Sequence, residues 1–202
     1  MLIHRLDIPA LPVLLPLGAL LMVVSVVVLH RRRQLTAVRL AVFWLAGWYA
    51  VAVIGATLLP MSLAWGPGAA PPDLARILWV PIIDMRKRDF VLNTLMTVPL
   101  ATVLYLVFGV RDWGRVVLTG FLLSLSIEVT QLTLLLTLSG QRWADVHDVV
   151  SNTFGAAFGY MVLWRLMRFA RFRRVVESCA SGRDHRRARI LRAGRADRAA
   201  AR

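Results

Sequence analysis

Glu128-Val129-Thr130-Gln131, then Arg142-Trp143-Ala144-Asp145-Val146-His147-Asp148, then Asn152, Gly155 and Gly159 make up the stretch around which this chain is organised. Asp145, Asp148, Asn152, Gly155 and Gly159 follow one another at intervals of 3, 4, 3 and 4 residues. Residues three and four apart share a helix face, so the spacing predicts one stripe along a helix. Glu128 and Gln131 share a face of the preceding helix for the same reason. Both segments lie within or against long apolar runs. A carboxylate there is expensive unless it is paired or used, which makes this stretch the candidate functional site.

Around it the chain is far too apolar for a soluble domain. Of 202 residues 58% are hydrophobic, and the mean hydropathy is +0.63. Apolar runs over residues 11–29, 40–59, 90–108, 116–138 and 146–167 match the roughly 20 residues needed to cross a bilayer. They predict an all-α, polytopic bundle of five membrane spans. Residues 1–167 form that bundle, and 168–202 form a basic, poorly ordered cytoplasmic tail. Residues 1–9 are short and mixed, and a short interfacial helix is expected over 74–83, anchored by Trp79. Pro60, Gly66, Pro67, Gly68, Pro71 and Pro72 mark an irregular loop before it. No internal repeat is visible.

The net charge of +14 is unevenly placed. From Arg168 to Arg202 there are 12 arginines against Glu177, Asp184 and Asp197, a net of +9. The positive-inside rule counts Lys and Arg near span ends. It places the N-terminus outside and Arg31–Arg33, Arg39, Arg111, Arg115 and the tail in the cytoplasm. Arg86-Lys87-Arg88 is the one basic cluster left outside, either as an anion site or as charge neutralised by Asp84 and Asp89. Cys179 is the only cysteine, so no intramolecular disulfide forms. It is either an unpaired thiol or a juxtamembrane acylation site. No phosphate-binding glycine loop and no nucleic-acid module is present beyond the charge of the tail.

This orientation brings the unusual polar residues to one end of the bundle. Asn93 lies at the outer end of the third span and Gln131 in the outer half of the fourth. Glu128 falls roughly 10–15 Å below that outer end, at 1.5 Å per residue. Asp145, Asp148 and Asn152 begin the fifth span, with Arg142 in the loop before it. Gly155 and Gly159 continue the acidic stripe, and Gly120 and Ser124 lie below Glu128. Small residues four apart let helices approach closely in lipid, so the polar stripes are expected to face each other.

Glu128-x-x-Gln131 with Arg142-x-x-Asp145-x-x-Asp148-x-x-x-Asn152-x-x-Gly155-x-x-x-Gly159 resembles the VanZ-like family of membrane proteins, named for a teicoplanin-resistance protein. Asn93-Thr94-Leu95-Met96-Thr97-Val98-Pro99-Leu100-Ala101 resembles a second segment of that family. Here Thr97 stands for the family's Phe and Ala101 for its Gly. The resemblance covers residues 89–165. It implies a protein of the bacterial cell envelope, resident in the cell membrane, that lowers susceptibility to teicoplanin-type glycopeptides.

The residues themselves allow several chemistries. Glu128, Asp145 and Asp148 are candidate acid–base or ligand carboxylates, with Asn93, Gln131, Arg142 and Asn152 as substrate-binding partners. Their oxygens also suit Mg²⁺ or Ca²⁺. A buried and a solvated carboxylate can divide acid and base roles, and Arg142 can clamp a phosphate or carboxylate. His147 falls off the stripe, either as a surface imidazole or as a direct participant. No Cys or base-paired Ser suggests nucleophilic catalysis. One reading is a protein that acts at the outer face on an envelope lipid or lipid-linked glycan. The alternative is a non-enzymatic scaffold, with Arg142 paired to Asp145 and the other polar residues fixing helix register. Membrane lipids are the expected surroundings in either case. A small transporter is a third reading, weakened by the absence of a repeat.

Overall fold

The computed structural model describes residues 2–79 and 86–180. Asp84 and the arginines beyond Ala180, invoked above for charge neutralisation and for the tail, lie outside the described residues. The elements run in order β1 His4–Ile8, α1 Ala10–Arg31, α2 Ala37–Leu58, β2 Met61–Trp65, a 3₁₀ turn Leu74–Arg76, β3 Ile77–Leu78, α3 Lys87–Thr97, α4 Leu100–Val103, a π-helical turn Leu104–Phe108, α5 Trp113–Leu138, β4 Ala144–Asp145, α6 Val146–Leu166 and α7 Ala170–Cys179. The all-helical bundle expected from the apolar runs is what forms. Among the described residues its only sheets are two small ribbons.

Among the described residues, four helices are long and apolar enough to cross a membrane: Ala10–Arg31, Ala37–Leu58, Lys87–Phe108 and Trp113–Leu138. The expected fifth span is α6, a helix of 21 residues. Its N-terminal half carries His147, Asp148, Ser151 and Asn152, which lower its hydropathy, and it is packed along its length, with buried residues from His147 to Leu163. Leu20, Leu45, Leu122 and Val129 stay exposed on the long helices, as a hydrocarbon-facing surface requires. Hydroxyls on the outside of α5 are satisfied by their own helix. Thr130, Thr133 and Thr137 each donate to the carbonyl four residues back.

Chain chemistry sets the element ends. Asp112 caps α5 by accepting the Arg115 amide at 2.8 Å, and Thr36 caps α2 by accepting from Arg39 at 3.4 Å. Asp112→Ala is expected to cost about 1 kcal/mol, read as a fall in the thermal midpoint of the detergent-purified protein. The third span is interrupted at Val98-Pro99, because Pro99 has no amide to donate. It ends in a π-helical turn closed by Gly109, whose φ of 69° lies in the left-handed region.

One expectation is corrected, that of an interfacial helix before the third span. The short, mixed first residues form a strand: β1 pairs antiparallel with β2, His4 opposite Trp65 and Ile8 opposite Met61, and the two rings stack at 5.7 Å. The interfacial helix expected over 74–83 is, in its described part, one 3₁₀ turn and a strand. Ile77 and Leu78 bridge in parallel to Ala144 and Asp145. The start of the basic segment, Ala170–Cys179, forms a helix. Val176 of α7 is buried with Tyr105, Leu163 and Met167 because its apolar side has that cluster to cover.

Candidate functional site

The site is built by three helices. α5 and α6, joined by a short turn through Ser139 (φ 45°), run antiparallel. α3 runs parallel to α6, since Asn93 and Thr94 meet Asp148 and Ser151 while Thr97 and Val98 meet Gly155 and Gly159. A Cβ at Gly155 would strike Thr97 Oγ1 and the Thr94 carbonyl oxygen, and would lie 3.0 Å from Thr94 Cα. One at Gly159 would strike the Val98 carbonyl oxygen, with Val98 Cα at 3.0 Å. On the other side, a Cβ at Gly120 would come within 2.5 Å of Ala156 Cβ. The glycine stripes therefore bring the polar residues above them into contact.

Those residues bond to one another and to the backbone of neighbouring segments. Asn93 Nδ2 donates to Asp148 Oδ1 at 2.5 Å. Asn152 Nδ2 donates to Ser124 Oγ at 2.9 Å, and Ser124 Oγ donates to the Asp148 carbonyl at 3.2 Å. Glu128 Oε2 accepts the Asp145 amide at 2.8 Å, which joins mid-α5 to the start of α6. Gln131 Nε2 donates to the Thr57 carbonyl at 2.8 Å, and Arg142 donates to the Leu59 carbonyl. Both acceptors lie at the C-terminal end of α2, where carbonyls lack helical partners and a cation is favoured.

Asp145 and His147 differ from expectation. Asp145 is not on the helical stripe. It is the N-cap of α6, accepting the His147 amide at 2.8 Å, and its backbone belongs to β4. The 3-and-4 spacing places it over the stripe only if Asp145 itself is helical, whereas its backbone is extended and the helix begins at Val146. His147 is not a surface imidazole: it is buried, with Nδ1 2.5 Å from Asp145 Oδ1. Asp145 is therefore engaged by His147, and no Arg142–Asp145 ion pair forms among the described residues.

All seven polar candidates line one cavity of about 230 Å³: Asn93, Gln131 and Asn152, the carboxylates Glu128, Asp145 and Asp148, and Arg142. Sequence reasoning left Arg86, Asp89 and Trp143 out of the site, yet they line it too. Arg86 sits 3.7 Å from Asp89 and lies over the Trp143 ring, 4.7 Å from its centroid. Asp89 was legible, being four residues before Asn93 in the first turn of α3. Two buried acceptors have no hydrogen-bond partner among the described residues: Gln131 Oε1 and Asn152 Oδ1.

No group of three His, Cys, Asp or Glu among the described residues is arranged to hold a metal ion. The arrangement offers instead an acceptor-rich interior of carboxylates and amide oxygens, with two guanidinium groups and an indole.

No curated protein and no solved structure shows significant similarity to the chain. The family model VanZ/LLP1 matches residues 43–168. That match takes in all three site helices and the α2 end to which Gln131 and Arg142 bind, so this membrane-type chain belongs to the VanZ/LLP1 family.

Proposed function

We propose that the cavity receives the polar head of an envelope lipid or lipid-linked glycan at the outer face of the bacterial cell membrane, and that the protein acts there on that lipid. The observation that carries this reading is a polar cavity in an apolar bundle, with Gln131 Oε1 and Asn152 Oδ1 buried and unpartnered at its wall. A bundle needing only internal bonds would have no reason to leave both oxygens without a donor. Lowered susceptibility to teicoplanin-type glycopeptides would be the cellular consequence of such an action. Glu128, Asp145 and Asp148 are the carboxylates available for acid–base work or for binding.

A specific observation favours the scaffold reading as well. Gln131, Arg142 and Glu128 each bind backbone atoms of another segment, as a register-fixing network would. The two readings separate on Asp148→Ala and Asn93→Ala. The full chain, purified into nanodiscs made from bacterial envelope lipid, should retain a distinct lipid that mass spectrometry identifies. Loss of a charge-assisted bond of about 1.5–3 kcal/mol should weaken that retention roughly tenfold to a hundredfold. Unchanged retention with reduced abundance would instead establish the scaffold.

The outer-face placement rests on the arginine distribution, with Arg31 and Arg32 after α1 and Arg111 and Arg115 around the α5 start. In intact cells a membrane-impermeant maleimide should label Ser139→Cys at the α5–α6 turn and leave the native Cys179 of α7 unlabelled. The opposite labelling would move the cavity to the cytoplasmic face.

A further inference from the structure

Beside the polar cavity lies a second, apolar one of about 180 Å³, walled by Leu125, Val129 and Leu132 of α5 and Val149 of α6, with Trp79 at its edge. The two share a wall, for Leu78, Glu128 and Asp145 line both. Val129 and Trp79 are 52% and 67% exposed, so this groove opens on the hydrocarbon-facing side of the α5–α6 hairpin. Glu128 is the partition. Its Oε2 is fixed on the Asp145 amide, and behind it the wall changes from carboxylates and amides to aliphatic carbons.

We propose that this groove holds the hydrocarbon chain of a phosphate-linked lipid whose sugar head occupies the polar cavity. The proposal rests on the reading that the cavity binds a lipid head, and it names the class. The interior presents acceptors: the unpartnered Gln131 Oε1 and Asn152 Oδ1, with the Asp148 and Glu128 carboxylates. Acceptors need donors, and a sugar supplies several hydroxyls in a small volume. Trp143 lines the same space and offers an apolar face for a sugar ring. Arg86 and Arg142 are the cations available to the linking phosphate. Head and chain would then lie on the two sides of one wall, that formed by Leu78, Glu128 and Asp145.

The test uses the full chain in nanodiscs and a prenyl-phosphate-linked N-acetylglucosamine carrying a diazirine on the prenyl chain. Irradiation should attach the chain to Leu125, Val129, Leu132 or Val149, as read by peptide mass spectrometry. The sugar-free prenyl phosphate should be captured about tenfold less well, and Asn152→Leu should erase that difference. Val149→Trp, which fills the groove, should lower capture while abundance stays normal. If Val149→Trp does not fold, the crosslink map of the unaltered chain still decides. Capture that depends on Asn152 but maps away from the groove overturns the groove and leaves the cavity reading standing. Equal capture of the sugar-free probe overturns the sugar head. Capture indifferent to Asn152 and Asp148 overturns the cavity reading and this proposal with it.

Discussion

Gly155→Leu should abolish the folded protein, and Gly159→Leu should do so nearly as completely. At Gly155 the first added carbon already collides with Thr97 Oγ1 and with the backbone of Thr94. At Gly159 it collides with the Val98 carbonyl. These neighbours are mostly backbone, so no rotamer change relieves the clash, and α3 must move away from α6. Overpacking costs about 1–3 kcal/mol where side chains can shift. Here the cost should exceed that range, against a total stability of roughly 5–15 kcal/mol. Separating the helices also breaks the Asn93–Asp148 and Thr94–Ser151 bonds. The expected result is loss of the monodisperse peak in size-exclusion chromatography of a fluorescent fusion. Gly47→Ala is the control, because a Cβ there meets Leu21 Cβ at an ordinary 3.4 Å. Should Gly155→Leu run and melt like the unaltered chain, the close α3–α6 approach is wrong, and with it the cavity.

The part of the site that was readable from sequence is the part whose geometry is periodic. Asp148, Asn152, Gly155 and Gly159 lie on one face of α6, and Glu128, Gln131, Ser124 and Gly120 on one face of α5, because helix periodicity fixes the angle between them. A short turn then forces the two faces together. Asn93 was legible through its segment and meets Asp148 as anticipated. What could not be read depends on backbone partners, which carry no residue signature. The Arg142 bond to the Leu59 carbonyl and the Gln131 bond to the Thr57 carbonyl require knowing where α2 ends. The β1–β2 ribbon joins segments more than fifty residues apart, each too short and mixed to announce a strand. His147 was misplaced for a related reason. Helix periodicity was extended through Asp145, whereas Asp145 sits before the helix with extended backbone and turns its carboxylate back onto His147.

Glu128 is where the scaffold and the chemical reading make opposite predictions, and the second large effect is expected there. Its side chain is buried, and Oε2 accepts the Asp145 amide. Glu128→Ala leaves that amide without its side-chain partner at the start of α6, a cost of about 1–3 kcal/mol. Thermal midpoint and abundance should fall under either reading, so this variant alone decides nothing. Glu128→Gln is different. Its amide oxygen can accept the same bond with nearly the same shape, so stability should be restored to near that of the unaltered chain. A register-fixing role ends there, and the glutamine variant should then be fully competent in cells. A carboxylate that takes or gives a proton cannot be replaced by an amide. If Glu128 does acid–base work on the bound lipid, turnover should fall about 10²–10⁴-fold in Glu128→Gln at normal abundance. The measurement is paired: melting of the purified variants, and the envelope lipid profile of cells carrying each one. A stable Glu128→Gln protein that leaves the lipid profile as the unaltered chain does would remove Glu128 from the chemistry. It would then stand as the partition between cavity and groove, held there by the Asp145 amide.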